Sequence, residues 1–155
     1  MRGYLLDANH VSGYHSQNPG FVQRLRDVPH ETQLRVCTIT LGEIEAGSRI
    51  TVSTDLARRN DYLTFVLANF HHHAIEVAVT TRSYYADAVE RIWRKHPPPN
   101  AKKRTEVHLV ELGVDINDLW IFAVAWEHGL TLLTSDQMAV IHSCVPEVRV
   151  DNWLS

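Results

Sequence analysis

Apolar and polar positions follow two rhythms along this chain. Short apolar runs bounded by polar residues occur at Gly3-Tyr4-Leu5-Leu6, Leu34 to Thr38, Ala74 to Val79 and Leu130 to Thr134. Each reads as a strand, with Val148-Arg149-Val150 as a short last one. Longer stretches carry apolar residues at helical spacing. Asn9 to Gly13 opens a short helix or turn, and Asn18-Pro19, a cap followed by proline at the first helical position, leads a helix through Phe21 to Val28. Thr40 to Gly47 reads as helical. Leu56, Leu63, Val66, Leu67 and Phe70 mark one face of a helix running from Asp55 to Asn69. A further helix, from about Thr81 to Arg94, stops at Pro97-Pro98-Pro99-Asn100. The basic cluster Lys102-Lys103-Arg104 begins another, up to Gly113. Asn117-Asp118 starts an apolar helix, Leu119 to His128, closed by Gly129.

Strands alternating with helices predict an α/β fold: a three-layer α/β/α sandwich with a central parallel sheet covered on both faces. The Leu119 helix is apolar almost all round and is expected deep against that sheet. No repeat or linker divides the sequence, so one domain over residues 1–155 is expected. Its 155 residues are 45% apolar and 21% charged, which excludes disordered and low-complexity classes. The longest apolar run, Leu119 to Trp126, falls far short of the ~20 residues that span a bilayer. The N-terminal stretch reaches Asp7 after only a few apolar residues, so no secretory leader is expected. Cys37 and Cys144 form no disulfide framework, and a reducing, cytoplasmic setting is expected. The net charge of −3 argues against a protein that coats nucleic acid by bulk charge. A nucleic-acid enzyme stays open if its cations are local and its acids serve a metal.

The informative pattern is the placement of four acids. Asp7 closes one strand and Asp136 follows another, and in a parallel sheet the carboxyl ends of the strands share the edge where ligands bind. Glu43 is expected in the first turn of the helix after the second strand. Asp118 is expected in the first turn of the Leu119 helix. Four carboxylates in one cleft repel, roughly 4 kcal/mol for a pair at ~4 Å and an effective dielectric near 20, so they take up protons or hold a hard cation. Oxygen donors without Cys or His favour Mg2+ or Mn2+. Each acid also has a structural reading. Thr40-x-x-Glu43 is a capping box, Asp118 suits a helix dipole, and Asp7 and Asp136 suit turns at strand ends.

Four segments together resemble PIN-domain ribonucleases, specifically VapC-type toxins of toxin–antitoxin pairs: Leu5-Leu6-Asp7-Ala8-Asn9, Thr40 to Gly47, Ile116-Asn117-Asp118-Leu119-Trp120-Ile121, and Ala123 to Asp136. The ending Val148 to Leu154 fits the same pattern. The resemblance implies that Asp7, Glu43, Asp118 and Asp136 are metal-binding and catalytic acids. It implies that Thr134 and Asn9 are supporting polar residues. It further implies a Mg2+- or Mn2+-dependent endoribonuclease that leaves a 5′-phosphate and a 3′-hydroxyl. The expected partners are RNA, a second copy of the chain, and a cognate antitoxin that blocks the cleft.

Other features are weighed alongside. His71-His72-His73 cannot all face one metal from a strand or helix and is expected at the surface. His10 and His15, near Asp7, are expected at exposed helix positions. Lys102, Lys103 and Arg104 are the foremost candidates for RNA contact, against the reading of a solvated helix face. Trp120 and Trp126 are expected in the core. The apolar faces of the Phe21–Val28 and Leu56–Phe70 helices suit either an antitoxin groove or the core. The competing function is a non-catalytic PIN-like module that binds RNA or protein, with its acids structural.

Overall fold

The computed structural model describes residues 3–50, 56–136 and 138–155. The elements run β1 (Gly3–Leu6), α1 (Ala8–His15), α2 (Pro19–Asp27), β2 (Gln33–Arg35), α3 (Thr38–Ile50), α4 (Leu56–Phe70), α5 (Thr81–Lys95), α6 (Thr105–Glu111), α7 (Ile116–His128), β3 (Thr131–Leu133), α8 (Ala139–Cys144) and β4 (Val150–Asp151). Asp55, the expected start of α4, lies outside the described residues. None of the described helices is long and apolar enough to cross a membrane.

The four strands pair in the order β2-β1-β3-β4, all parallel. Tyr4 lies beside Leu34 on one side and Thr131 on the other, and Leu133 lies beside Leu6 and Asp151. The chain therefore runs outward from β1 to β2, then returns across β1 to place β3 on its other side. The reversal of strand order lies between β1 and β3, where crossover connections diverge and leave a crevice at the carboxyl ends.

Alternation along the strands builds two cores, one on each face of the sheet. Leu5 and Leu132 point into a cluster with Ile92 of α5, Leu119, Phe122 and Val124 of α7, and Ile141 of α8. Leu6 and Leu133 point into the other, with Val11, Phe21, Ile44, Val66, Phe70 and Trp153. Helix α7 buries Leu119, Ile121, Phe122, Ala123, Val124 and Ala125, as its almost uniform apolarity predicts. It ends at Gly129, whose φ of +63° suits a residue without Cβ. The predicted three-layer α/β arrangement is the one observed.

Several local expectations need correction. Ala74–Val79 is not a strand. Ile75 alone makes a bridge, to Cys37, while Glu76 to Thr80 are exposed. The neighbouring chain turns into α3 at Thr38, leaving Glu76 to Val79 nothing to pair with. Because α3 begins at Thr38, Thr40 is its third residue, buried with Oγ1 3.5 Å from Cys37 Sγ, and the expected capping box does not form. Lys102-Lys103-Arg104 forms a turn before α6 rather than its first residues, with Asn100 Oδ1 accepting the Lys102 N–H. Helix α7 is capped by Asp115, ahead of the expected Asn117-Asp118 start. Helix α8 goes unanticipated. Trp120 and Trp126 are half-buried at the rim: Trp120 stacks on Tyr85 at 3.9 Å, and Trp126 carries the Arg91 guanidinium over its ring. Phe21, Val66 and Phe70 belong to the core, so the apolar faces of α2 and α4 are largely spent inside the molecule.

Candidate active site

The two central strands deliver the first polar groups to the crevice. Asp7 follows β1 and continues its pairing for one residue, its N–H donating to Leu133 O. It also caps α1. Its Oδ1 accepts the His10 N–H at 2.8 Å and lies 2.9 Å from His10 Nδ1. His10 is wholly buried, contrary to the exposed position expected, and its Nε2 accepts the Trp153 N–H at 3.0 Å. Burial alone would raise the Asp7 carboxyl. The ring and backbone donors of His10, joined by the Thr134 hydroxyl, outweigh burial and hold it below its ordinary value. Thr134, 2% exposed, follows β3, and its Oγ1 accepts the Asp136 N–H at 3.2 Å. Asp136 is exposed, with Oδ1 accepting the Met138 N–H, and Met138 turns the chain with φ +46°. One hydroxyl thus joins the ends of two acid-bearing segments.

The other acids come from helices that start at the same edge. Asp115 Oδ1 accepts the Asp118 N–H at 3.1 Å, placing Asp118 in the first turn of α7. Burial, and then the charges of Asp115, Asp136, Glu43 and Asp7, push the Asp118 carboxyl up to about 6. Glu43 lies in the second turn of α3, not the first, and is exposed. Its partial desolvation, followed by the charges of Asp115 and Asp7, raises its carboxyl as well. Asp115, Asp118 and Asp136 line a cavity of about 210 Å³ together with Gly113, Val114 and the start of α8.

Of the four acids predicted from sequence, Asp118 and Asp136 line this cavity, while Asp7 and Glu43 act on Asp118 through their charge. They stand at electrostatic range, however: among the described residues no three His, Cys, Asp or Glu side chains form a ready-made metal cluster. The donors are all carboxylate oxygens and their like charges crowd. That chemistry fits a hard divalent cation, to which exposed Glu43 and Asp136 can turn. Asn9 spans the lip of the cleft, its Nδ2 donating to Ser135 Oγ at 2.9 Å.

Sequence reasoning missed two residues here. Asp115 was signalled by its spacing three residues before Asp118, a cap pattern. The burial of His10 had no local signal, because its second partner is 143 residues away. Lys103 pairs with Glu111, and Arg104 pairs with Glu106 at 3.3 Å. The RNA-contact candidates thus carry acidic partners on α6, and Lys102 is exposed beside them. His71–His73 forms a single 3-10 turn with all three residues exposed.

The profile of the PIN domain family matches residues 4–139. No curated protein matches the sequence. Among solved structures, a chain of DNA-bound VapBC from Salmonella typhimurium superposes with a TM-score of 0.71 at 15% identity, covering 99% of both chains. A chain of FitAcB from Neisseria gonorrhoeae gives 0.67 at 20% identity over 97% of each. One of VapBC-5 from Mycobacterium tuberculosis, a member of the VapBC family of toxin-antitoxin systems, gives 0.55 at 23% identity over 98% of this chain and 99% of that one. Identities this low establish the shared fold, and the profile match spanning most of the sequence establishes the family: the chain belongs to the PIN domain family.

Proposed function

We propose that the chain is a VapC-type toxin, an endoribonuclease dependent on Mg2+ or Mn2+, in which Asp7, Glu43, Asp118 and Asp136 hold the metal. The observation that carries this reading is that acids from four separate elements act on one another electrostatically, with Asp118 and Asp136 lining one cavity. There, burial and neighbouring acids push Asp118 up to about 6. Folding does not concentrate negative charge this way for its own stability, so the arrangement suits a cation as counter-charge.

A divalent ion held by Asp7, Glu43, Asp118 and Asp136 would lower the pKa of water and neutralise charge developing on a phosphate. The chain's own residues supply the frame. Asp7 is kept ionised by three donors, Thr134 ties the Asp7 and Asp136 segments together, and Asn9 with Ser135 offers polar contacts at the lip. In the overall reaction, hydroxide adds to phosphorus in line with the departing 3′-oxygen. The P–O3′ bond breaks and the departing 3′-oxygen takes up a proton, so that one water in all is consumed and a 5′-phosphate and a 3′-hydroxyl result. The cleft is then what a cognate antitoxin covers, and a second copy of the chain is the other expected partner; VapBC-5, a member of a family of toxin-antitoxin systems, shares the fold.

The test is cleavage of RNA in Mg2+ by the parent and by Asp7→Asn. Loss of the cation's charge stabilisation, several kcal/mol, predicts a roughly hundredfold or greater fall in rate. Equal cleavage by the variant would overturn the assignment. A second reading, a PIN-like binding module with structural acids, draws on the cap hydrogen bonds of Asp7 and Asp115. It predicts no thermal stabilisation by Mn2+, whereas the enzyme is stabilised by any ion that binds only the folded state.

A further inference from the structure

Asp7 is gripped from behind by a relay that ends in the last residues of the chain. A backbone N–H only donates, so His10 Nε2, 3.0 Å from the Trp153 nitrogen, accepts and bears no proton. The proton of the neutral ring is therefore on Nδ1 and is directed at Asp7 Oδ1, 2.9 Å away. The same oxygen takes the His10 backbone N–H at 2.8 Å. Two donors fill the two lone-pair sites of Oδ1, so even with the Thr134 hydroxyl as a third donor to the carboxylate, Oδ2 keeps a lone pair for a cation.

The far end of the relay is itself built into place. Trp153 is buried between Tyr4 and Phe21, with ring centroids at 4.6 and 5.3 Å. Its indole N–H donates to Asp151 Oδ2 at 3.2 Å, and the Leu154 N–H donates to Asn152 Oδ1 at 2.9 Å. Two helical glycines admit the segment. A Cβ at Gly20 would lie 2.7 Å from Trp153 O, and one at Gly13 would lie 2.3 Å from Leu154 Cδ2. The C-terminal segment thus lies in close contact with α1 and α2 and presents one N–H to a buried imidazole.

We propose that His10 is a positioning residue for the cation site: held by the Trp153 N–H, it fixes the rotamer of Asp7 so that Oδ2 meets the ion. The proposal rests on the reading of the acids as a metal site and adds to it a residue and a segment that touch neither ion nor RNA. Partners that orient metal ligands from behind typically contribute tenfold to a hundredfold in metal affinity.

The test is Mn2+ binding to the full chain by isothermal titration calorimetry, with His10→Asn and His10→Gln beside the parent. Asparagine places an amide N–H near the position of Nδ1 and keeps the donor to Asp7 while losing the Trp153 contact. Glutamine reaches the position of Nε2 and keeps the Trp153 contact while losing the donor. Both variants unfold at lower temperature than the parent, but the expected result separates them: His10→Asn, which loses only the Trp153 hold, binds Mn2+ about threefold more weakly than the parent, and His10→Gln, which loses the donor to Asp7, binds roughly tenfold or more weakly. Two variants that bind alike, whether as tightly as the parent or equally weakened, would overturn the positioning role and leave the metal reading standing. A parent that binds no Mn2+ would overturn both. Nitrogen-15 NMR of the His10 ring in the unaltered protein decides the matter even where a variant fails to fold. A proton on Nδ1 with Nε2 bare is expected, and a proton on Nε2 would refute the relay.

Discussion

Replacing Asp118 by asparagine removes one charge from a cavity that Asp115 and Asp136 also line and on which the charges of Asp7 and Glu43 act. Its carboxyl is raised from 3.8 to about 6, first by burial and then by Asp115, Asp136, Glu43 and Asp7. At 1.36 kcal/mol per unit, that displacement corresponds to at most about 3 kcal/mol of destabilisation when the group is ionised. Asp118 is only partly buried, and solvent screening reduces the figure to about 1–2 kcal/mol. Asparagine also forfeits the favourable placement of a negative charge in the first turn of α7, worth about 0.3–1 kcal/mol. The net expectation is that Asp118→Asn is more stable than the parent without metal, by about 0.5–1 kcal/mol, or roughly 1–4 °C in a chain of this size. The sign with pH follows from the raised value. The folded protein holds the Asp118 proton more tightly than the unfolded chain, so stability falls as pH rises from about 4 through about 6. The variant's advantage is full above pH 7 and vanishes near pH 4. Calorimetric melting in EDTA across that range measures it. Saturating Mn2+ then reverses the order, because the parent gains about 2.7 kcal/mol at a hundredfold excess over its Kd and the variant gains less. A variant less stable than the parent in EDTA at pH 7.5, yet equally stabilised by Mn2+, would refute the reasoning.

Asp7→Asn should behave in the opposite way. Its carboxylate is held below the ordinary value by His10 and Thr134, so its contribution to stability is present above the unfolded value and lost as pH falls through the lower folded one. In EDTA the variant should lose about 1–3 kcal/mol in urea unfolding at neutral pH, because buried donors are left facing an amide. Phe122→Ala empties a wholly buried position between α7 and the sheet, and urea unfolding should show a loss of about 3–5 kcal/mol. Gly20→Ala drives a methyl against Trp153 O and should cost about 1–3 kcal/mol by thermal melting, with Mn2+ affinity weakened through the His10 relay.

How far the sequence discloses this molecule depends on how local each cause is. The pairs Leu5-Leu6 and Leu132-Leu133 announce strands apolar on both faces, and each strand feeds one side chain to each core. The residue after such a strand necessarily stands at the carboxyl edge, so Asp7 and the Thr134–Asp136 turn were legible. Helix α7 was legible because its apolar run and Gly129 are both local. The Ala74–Val79 stretch misleads because its β-branched composition matters only if a strand lies beside it, and α3 takes that place. Glu43 was placed a turn too early because Thr38 takes its hydroxyl to Ile75 O and starts the helix sooner than the capping pattern suggests. His10 illustrates the deepest limit. A histidine three residues after an acid looks like a surface residue until the final strand brings Trp153 against it.

The central claim is that carboxylates from four elements hold one or more divalent ions at the β1–β3 crevice. Anomalous diffraction from crystals grown with Mn2+ tests it most directly. The account predicts a peak about 2–2.5 Å from carboxylate oxygens that include Asp7 Oδ2, Asp118 and Asp136. A Mn2+ peak elsewhere, with those carboxylates still apart and the cleft empty, would contradict it.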